Sequence, residues 1–412
     1  MSLPKIARDL RRHAASIPAL KRAYAGLVTR RKQAYDALVR RTRHVIDRTS
    51  LARATDARCE AFGSPETVHT GSFTFQCDGF RRPLPWEPIF DSGVTHDRPF
   101  LLTLRNCELI GHCGVVLDAA GNLVLESTEN EWQYFASSWC SPEVLFRRRT
   151  KLEHLPGRVV SLASPLCCNY FHFITSNLAA IACAIHEIGD RFQDVRFLVE
   201  ERVPFQAALL RSILRIPEER IILWRGGRTR VDELLIPSCR HVRVSEDCHA
   251  HKRIHSAVAY RRIHQLAQAA DVAAPSDASP LIIIERRNGP RRLLNLDQLQ
   301  ARLHPIGFRT YDLASMSVPD QIGLFRQARV VVGVHGAGLT NLLFSPRAAL
   351  IELFPATRSA GDTGYYAEIA RAINLPYLLM ATEGVGPEQN VRLTAAQIDR
   401  IAIAAGRFAG SA

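Results

Sequence analysis

The sequence predicts an α/β protein in which parallel strands alternate with helices. Three apolar runs, Leu281–Glu285, Val330–Val334 and 350–354, have the length and composition of buried strands, and amphipathic helical patterns separate them. A similar alternation runs from 157 to about 240, whereas 51–150 shows the period-two pattern of half-buried strands. Because repeated β-α-β units form doubly wound sheets, we expect ligands at the carboxyl ends of the strands.

The composition indicates a globular chain with an uneven distribution of charge. A length of 412 residues predicts two domains, and a hydrophobic fraction of 47% excludes a disordered polymer. The net charge is +13, but residues 1–50 hold 13 Lys and Arg against three Asp, so +10 belongs to this segment and +3 to the rest. A body so close to neutral gives no reason to predict a nucleic-acid partner.

Residues 1–50 predict a basic helical arm, with leucines scattered among the Lys and Arg. Such an arm either lies on an anionic membrane surface or is a solvated helix that packs on the body or on a second subunit. No apolar run approaches the ~18 residues of a membrane span, and no signal-peptide core is present. We therefore expect a cytoplasmic protein, either free or peripheral at the inner face of the membrane.

Turn residues divide 115–127 into a predicted hairpin centred on Gly121. After it we predict, in order, strand 196–201, helix 204–215 beginning at Pro204, strands 220–224 and 233–237, and helix 249–270. His251 and His255 would share one face of the last helix, but no acidic third ligand stands near them, so a solvated face is favoured over a metal site. Residues 274–280 read as a linker.

The C-terminal third repeats the β-α-β pattern, with capping boxes at Asn295 and Ser317 and a helix from about Gly338. A final helix is predicted within 393–412 and would cross back to the first domain. The predicted organisation is therefore an arm at 1–50, an acceptor-side domain at 51–273, a nucleotide-binding Rossmann-like domain at 281–392 and the helix of 393–412.

His335 stands where the apolar strand Val330–Val334 ends, and Gly336 and Gly338 follow it. Glycines let backbone amides approach a ligand, and a helix N-terminus favours an anion. The segment is neither a spaced GxGxxG fingerprint nor a Walker loop. It predicts either a phosphate site or a tight structural turn.

Two further segments carry candidate chemistry. ERRNGPRR, residues 285–292, places four arginines directly after a buried strand, which favours phosphate binding over a merely solvated face. CNYFHFITSNL, residues 168–178, places His172 in an aromatic cluster at the start of an apolar helix. This histidine is either a general base or a hydrogen-bonded core residue.

Together, NYFHF, the basic stretch after a strand, GVHGAGLTNLLFSP and IELFP resemble the family 61 glycosyltransferases. The resemblance covers roughly 101–379 and is strongest over 281–355. One departure is Ser345-Pro346-Arg347, where relatives often have Pro-Gly. The resemblance implies a GT-B-like fold, in which two Rossmann-like domains face each other across a cleft.

The implied activity is that of an inverting glycosyltransferase, of the hexosyl or pentosyl class within EC 2.4. It would move a sugar from a nucleotide-sugar donor, often UDP-linked, to a hydroxyl of a glycan, in capsular or surface polysaccharide synthesis. No Asp-x-Asp motif occurs, so no metal and no cofactor beyond the donor are predicted. A catalytically inactive nucleotide-binding scaffold and a membrane-surface binder acting through the arm are the alternatives, and oligomerisation is left open.

The resemblance also suggests roles for individual residues. His335 would contact a phosphate or the donor sugar, Glu352 would accept hydrogen bonds from the ribose unless it is a surface carboxylate at a strand end, and His172 would be the base that takes the acceptor proton. Asn341 would support the loop. The predicted diphosphate ligands are the side chains of Arg286, Arg287 and Arg292 and the backbone amides of Gly336, Ala337, Gly338 and Leu339.

Overall fold

The computed structural model describes most of the chain beyond the predicted arm, which lies almost entirely outside the described residues, as do His249 and His251. The described ranges are 45–47, 50, 56–68, 93–128, 151–243, 253–355 and 364–410.

The strands, in chain order, are β1 (Val45–Ile46), β2 (Ala57–Ala61), β3 (Glu66–Val68), β4 (Val94–His96), β5 (Phe100–Ile110), β6 (Val115–Leu117), β7 (Leu123–Val124), β8 (Leu152–Ser161), β9 (Val195–Glu200), β10 (Ile221–Trp224), β11 (Arg228–Pro237), β12 (His241–Arg243), β13 (Arg253–His255), β14 (Leu281–Glu285), β15 (Arg309–Asp312), β16 (Val330–Val334), β17 (Ala349–Pro355), β18 (Tyr377–Val385) and β19 (Asn390–Arg392).

The helices are α1, which joins an α-helical turn (Tyr170–His172), a π-helical segment (Phe173–Leu178) and an α-helix (Ala179–Ile188), and then α2 (Pro204–Leu214), α3 (Ala257–Gln268), α4 (Leu296–Leu303), α5 (Val318–Gln327), α6 (Tyr365–Ala372) and α7 (Ala395–Gly410). A 3-10 helix spans Ala337–Phe344.

The chain forms two compact units, each assembled from separate stretches. The first unit contains Met1–Cys59, Leu102–Pro165 and Arg225–Ile236, and the second contains Glu60–Leu101, Leu166–Trp224 and Pro237–Ala412. The predicted domain boundaries and the two facing domains of a GT-B fold stay predictions.

The first unit is a sheet with the strand order β1-β7-β6-β5-β11-β8. β6 pairs antiparallel with both β5 and β7, and Leu117 pairs with Leu123 across the turn, whereas β1 and β7 pair in parallel. This confirms the hairpin predicted around Gly121. β8 and β11 pair in parallel, with a register shift between Val231 and Glu233.

The second unit contains a six-stranded sheet in the order β15-β14-β16-β17-β18-β19, parallel except for the last pair. The predicted α/β class with parallel strands is therefore confirmed. α4 and α7 cover one face of this sheet, where Leu299 and Ile401 join a core with Ile283, Val332 and Ile351. α7 thus packs on the C-terminal sheet, which differs from the prediction that it crosses back to the first domain.

Three local predictions need correction. The helix predicted over 249–270 begins only at Ala257, because Arg253–His255 is a strand and Ser256 caps the helix by accepting from the Ala259 amide. The helix predicted after Gly338 is the 3-10 helix. Asn295 occupies its predicted cap position, but its amide binds Gln298 and the Leu393 carbonyl.

One helical run, Tyr170–Phe192, is long and apolar enough to span a membrane by composition. Two-thirds of its most apolar window (67%) is buried inside the protein, which core helices of soluble proteins also show, so this run alone is weak evidence for a membrane.

Candidate functional site

The carboxyl edge of the six-stranded sheet gathers the two segments predicted to bind phosphate. β14 and β16 are neighbouring parallel strands, with Ile284 opposite Gly333. They end at Glu285 and Val334, so the arginine segment 286–292 and the His335 segment leave the sheet side by side. The predicted convergence of these two segments at one edge is confirmed.

Gly336 is a position where a side chain would collide with Arg286. A Cβ built on Gly336 would lie 2.0 Å from a terminal nitrogen of the Arg286 guanidinium. The backbone at Gly336 is extended, so the glycine serves close approach and not an unusual φ. The Arg286 guanidinium also donates to the Pro290 carbonyl at 3.3 Å. Arg286 is thereby held against the backbone of the predicted phosphate loop.

The other arginines of the segment differ in their partners. Arg287 is exposed and pairs with Glu285 at 3.0 Å, and this hydrogen bond raises the pKa of Arg287. Arg292 lies 3.7 Å from Glu388. Arg291, which the sequence reading did not select, adopts a positive φ of 63° and donates to the His335 carbonyl at 3.1 Å. Two pairs of arginines within seven residues gave no signal in the sequence that distinguishes these roles.

The 3-10 helix after Gly336 uses part of the backbone that was expected to bind the diphosphate. The Leu339 amide donates to the Gly336 carbonyl at 2.9 Å, so this predicted ligand is already engaged. Asn341 is fully buried, accepts from the Tyr170 hydroxyl at 2.7 Å and donates to Gln321 at 2.8 Å. Asn341 therefore ties the loop to α1 and α5, as the supporting role predicts.

His335 is held on several sides and is only 6% exposed. Its backbone amide donates to the Leu353 carbonyl at 2.9 Å, and its ring lies edge-on to Phe354 and Tyr366. Tyr366 in turn donates to the Gly336 carbonyl at 2.6 Å. The Nδ1 atom of His335 lies 2.5 Å from Oε1 of Glu352.

Glu352 differs from both of its predicted roles. β17 continues to Pro355, so Glu352 lies inside the strand, and it is 1% exposed. One carboxylate oxygen binds His335, and the other accepts from the Tyr377 hydroxyl at 2.5 Å. A carboxylate so enclosed is neither a surface group nor open to ribose hydroxyls. The sequence did contain a sign of this burial, because Glu352 is the one acidic residue within an otherwise apolar strand.

A cavity of about 780 Å³ opens at this edge within the second unit. Three arginines, Arg211, Arg286 and Arg287, line it, together with an apolar side formed by the start of α2, the start of α5 and the ring of Tyr170. Tyr170 and Phe205 pack edge to face there, with centroids 5.2 Å apart. Five predicted site residues line the cavity: Arg286, Arg287, Gly336, Gly338 and Leu339. Charged and apolar walls side by side suit a ligand with both kinds of surface.

His172 lies at the start of α1, where the Asn169 side chain caps the helix. Its Nδ1 is 3.4 Å from the Arg253 guanidinium. Burial, and then the charges of Arg253 and His255, lower the pKa of His172 to about 3. A general base works best with a pKa near the operating pH. The setting therefore favours the hydrogen-bonded alternative over the base.

The surroundings of His172 were not predicted. His255 lies 3.7 Å from Glu368, and Phe171 packs against His255 and against Tyr366. Tyr366 also contacts His335, so one aromatic layer separates the two histidines. Arg253 and His255 lie on β13, within the range that was predicted to be a helix (249–270), so their contacts with His172 and Glu368 were not foreseen. Within the described ranges, no three His, Cys, Asp or Glu side chains are grouped to hold a metal.

Residues 170–351 match the family model described as Glycosyltransferase 61. A β-1,2-xylosyltransferase of Oryza sativa subsp. japonica is 36% identical over 102 residues, which are 24% of this chain and 18% of the relative. An EGF domain-specific O-linked N-acetylglucosamine transferase of Drosophila melanogaster is 31% identical over 109 residues, 25% of this chain and 20% of the relative. A xylan glycosyltransferase of Arabidopsis thaliana is 26% identical over 166 residues, 39% of this chain and 28% of the relative.

The chain thus spans less than a third of the length of these relatives. The matched range begins at Tyr170, contains the arginine segment and the His335 loop, and ends one residue before Glu352. The family predicted from NYFHF and HGAGLTN is confirmed over this range. Residues 170–351 of this chain are thus similar to the glycosyltransferase family 61 domain.

Proposed function

We propose that this protein is a glycosyltransferase that moves a sugar from a nucleotide-sugar donor to a hydroxyl of a glycan, with inversion at the anomeric carbon. The single observation that carries this proposal is the cavity at the carboxyl edge of the sheet, where Arg286 rests on Gly336. An open edge of a doubly wound sheet is where α/β proteins bind nucleotides. The names of the matched relatives, which are sugar transferases, support the same class of reaction.

In this reaction the acceptor oxygen bonds to the anomeric carbon while the bond to the diphosphate oxygen breaks. The charge that develops on the diphosphate needs fixed positive partners, and a guanidinium supplies paired donors in the right geometry. Arg286 is the side chain best placed for this role, because it lines the cavity and touches the loop. No metal is needed in this proposal.

We propose a UDP-linked donor. The diphosphate would lie at Arg286, and the nucleoside would lie along the apolar wall, where the ring pair of Tyr170 and Phe205 offers a surface for a base. The proposed GT-B arrangement is supported by the parallel pair β9 and β10, which α2 connects as in a Rossmann-like unit.

The acceptor is proposed to be a glycan. Capsular or surface polysaccharide synthesis stays a prediction, since the relatives named above are plant and animal proteins. The cytoplasmic location, the membrane contact through 1–50 and the oligomeric state stay predictions as well.

A thermal-shift panel of nucleotides and nucleotide sugars, run in EDTA, tests the donor. Ligand at a hundredfold excess over its Kd should add about 2.7 kcal/mol of stability. We expect UDP and UDP-sugars to raise the melting temperature more than ADP or GDP, and Arg286→Ala to abolish the rise. No shift with any nucleotide would contradict the proposal, and binding without hydrolysis or transfer would favour an inactive scaffold.

A further inference from the structure

Glu352 is a buried carboxylate at the centre of a three-residue contact. It is 1% exposed and lies on β17, between β16 and β18. Its Oε1 is 2.5 Å from Nδ1 of His335, and its Oε2 accepts from the Tyr377 hydroxyl at 2.5 Å. Both oxygens are engaged, so the carboxylate cannot rotate without losing a partner.

The chemistry of this contact determines which ring nitrogen of His335 carries hydrogen. An ionised carboxylate only accepts hydrogen bonds, so the short contact requires hydrogen on Nδ1. This holds in the neutral ring and in the charged ring alike. Nε2 then carries the lone pair of the neutral ring. Within the part of the chain that the structure describes, Nε2 makes no hydrogen bond.

The remaining contacts restrain the ring from turning over. The backbone of His335 is held by Leu353 and Arg291, and the faces and edges of the ring are packed by Phe354 and Tyr366. A ring flip would place the Cδ2 carbon where Nδ1 now lies and would break the hydrogen bond to Glu352. Packing and hydrogen bonding therefore select the same orientation.

We propose that Glu352 is a positioning residue that fixes His335 with hydrogen on Nδ1 and reserves Nε2 for proton exchange at the sheet edge. The role of Nε2 in sugar transfer rests on the proposed function. The tautomer itself does not. The alternative is a structural contact between strands, in which the ring has no preferred tautomer.

Nitrogen-15 NMR of the full chain labelled at histidine tests the tautomer directly. His335→Gln identifies the signal of His335 by its disappearance. In the wild type we expect the neutral ring to carry hydrogen on Nδ1, and Glu352→Gln to remove this preference, because an amide both donates and accepts. Hydrogen on Nε2 in the wild type, or rapid exchange between both forms, would overturn the proposal even if Glu352→Gln does not fold.

Turnover of the nucleotide sugar found in the panel tests whether Glu352 acts through His335. We expect Glu352→Gln to lower kcat on the order of 10- to 100-fold, as loss of an orienting carboxylate does elsewhere, with KM for the donor little changed. In the His335→Gln background, Glu352→Gln should add no further loss. Glu383→Gln, on an exposed position of β18, is the matched control.

Equal and additive losses in both backgrounds would overturn the link between Glu352 and His335. A change confined to the melting temperature, with kcat and its pH profile unmoved, would leave only the structural alternative. If the wild type turns over no nucleotide sugar, the proposed function fails, whereas the NMR result still decides the tautomer.

Discussion

His335 and His172 lie in the same compact unit and on either side of one aromatic layer, yet their partners are opposite in charge. His335 faces a carboxylate, whereas His172 faces the guanidinium of Arg253. A carboxylate holds hydrogen on the nitrogen that it binds, while a guanidinium needs a lone pair there.

The difference indicates which histidine can handle a proton. Nδ1 of His172 must accept from Arg253, and the lowered pKa of about 3 keeps the ring neutral over the ordinary pH range. The Nε2 atom of His335 makes no hydrogen bond to any residue that the structure describes. The sequence suggested His172 as the base and His335 as a contact to a phosphate or the donor sugar, so the neighbours and not the residue type distinguish the two rings.

The largest effect is expected from removing the carboxylate of Glu352, the partner of His335. Glu352→Leu leaves the His335 and Tyr377 donors buried without an acceptor, so the free energy of unfolding should fall by about 3 to 5 kcal/mol. Urea unfolding measures the loss. Glu383→Leu, at an exposed position of β18, should change it by no more than about 0.5 kcal/mol. A loss below about 1 kcal/mol for Glu352→Leu would show that the buried contact carries little energy.

The sheet edge was predictable from sequence because strand ends are a local property. Apolar runs identified β14, β16 and β17, and parallel pairing then brings the segments that follow β14 and β16 together. Periodicity also identified α2 with its proline start. These features depend on neighbours within a few residues along the chain.

The partners of the candidate residues were not predictable, because they come from distant parts of the chain. Tyr377 is 25 residues from Glu352, and Arg253 is 81 residues from His172. No periodic pattern encodes such pairs. Arg291 adopts a positive φ and donates to the His335 carbonyl, whereas Arg292 lies near Glu388, and an arginine-rich segment does not predict this difference. The segments that carry Glu352 and His172 were therefore placed correctly, whereas the partners of these two side chains were not predicted.

The second largest effect concerns the sheet edge next to His335, where displacing or removing the Arg286 guanidinium should weaken nucleotide binding. Gly336→Ala places a Cβ where Arg286 now lies, and Arg286→Ala removes the group itself. Loss of one charge-assisted hydrogen-bonding group costs about 1.5 to 3 kcal/mol, so we expect Kd for UDP to rise roughly 10- to 100-fold. Titration calorimetry measures Kd.

Arg302→Ala is the matched control for this experiment. Arg302 is exposed and pairs with Asp399 at 3.1 Å, and it is not among the residues lining the cavity. The Kd of Arg302→Ala for UDP should equal that of the wild type. Equal weakening by Arg286→Ala and Arg302→Ala would mean that general positive charge, and not the contact of Arg286 with Gly336, attracts the nucleotide.

The third effect concerns His172, the histidine beside Arg253, and is measured as the pH dependence of stability. His172 has its pKa lowered from 6.5 to about 3 in the folded protein, so between these values the unfolded chain binds the extra proton. Stability should therefore fall as pH drops below about 6.5, by up to about 1.4 kcal/mol per pH unit for one group. His172→Gln should flatten this slope in urea unfolding between pH 4.5 and 7.

His96 offers a second variant with the same sign. Burial lowers the pKa of His96 to about 4, so His96→Gln should flatten the slope further when combined with His172→Gln. A slope unchanged in His172→Gln would mean that His172 titrates alike in the folded and unfolded chains. The contrast with His335 would then lose its basis.

The smallest effect tests whether the two histidine regions are coupled. Tyr170 belongs to α1, which carries His172, and its hydroxyl donates at 2.7 Å to Asn341 in the 3-10 helix that follows His335. Tyr170→Phe removes one hydrogen bond and should cost about 0.5 to 1.5 kcal/mol in urea unfolding. If the regions act independently, this loss and that of Glu352→Gln should add to within about 0.5 kcal/mol. A larger deviation, accompanied by a shift of the His335 nitrogen signals in Tyr170→Phe, would mean that the aromatic layer and the Tyr170 bond transmit changes between them, and the two histidines would have to be treated as one site.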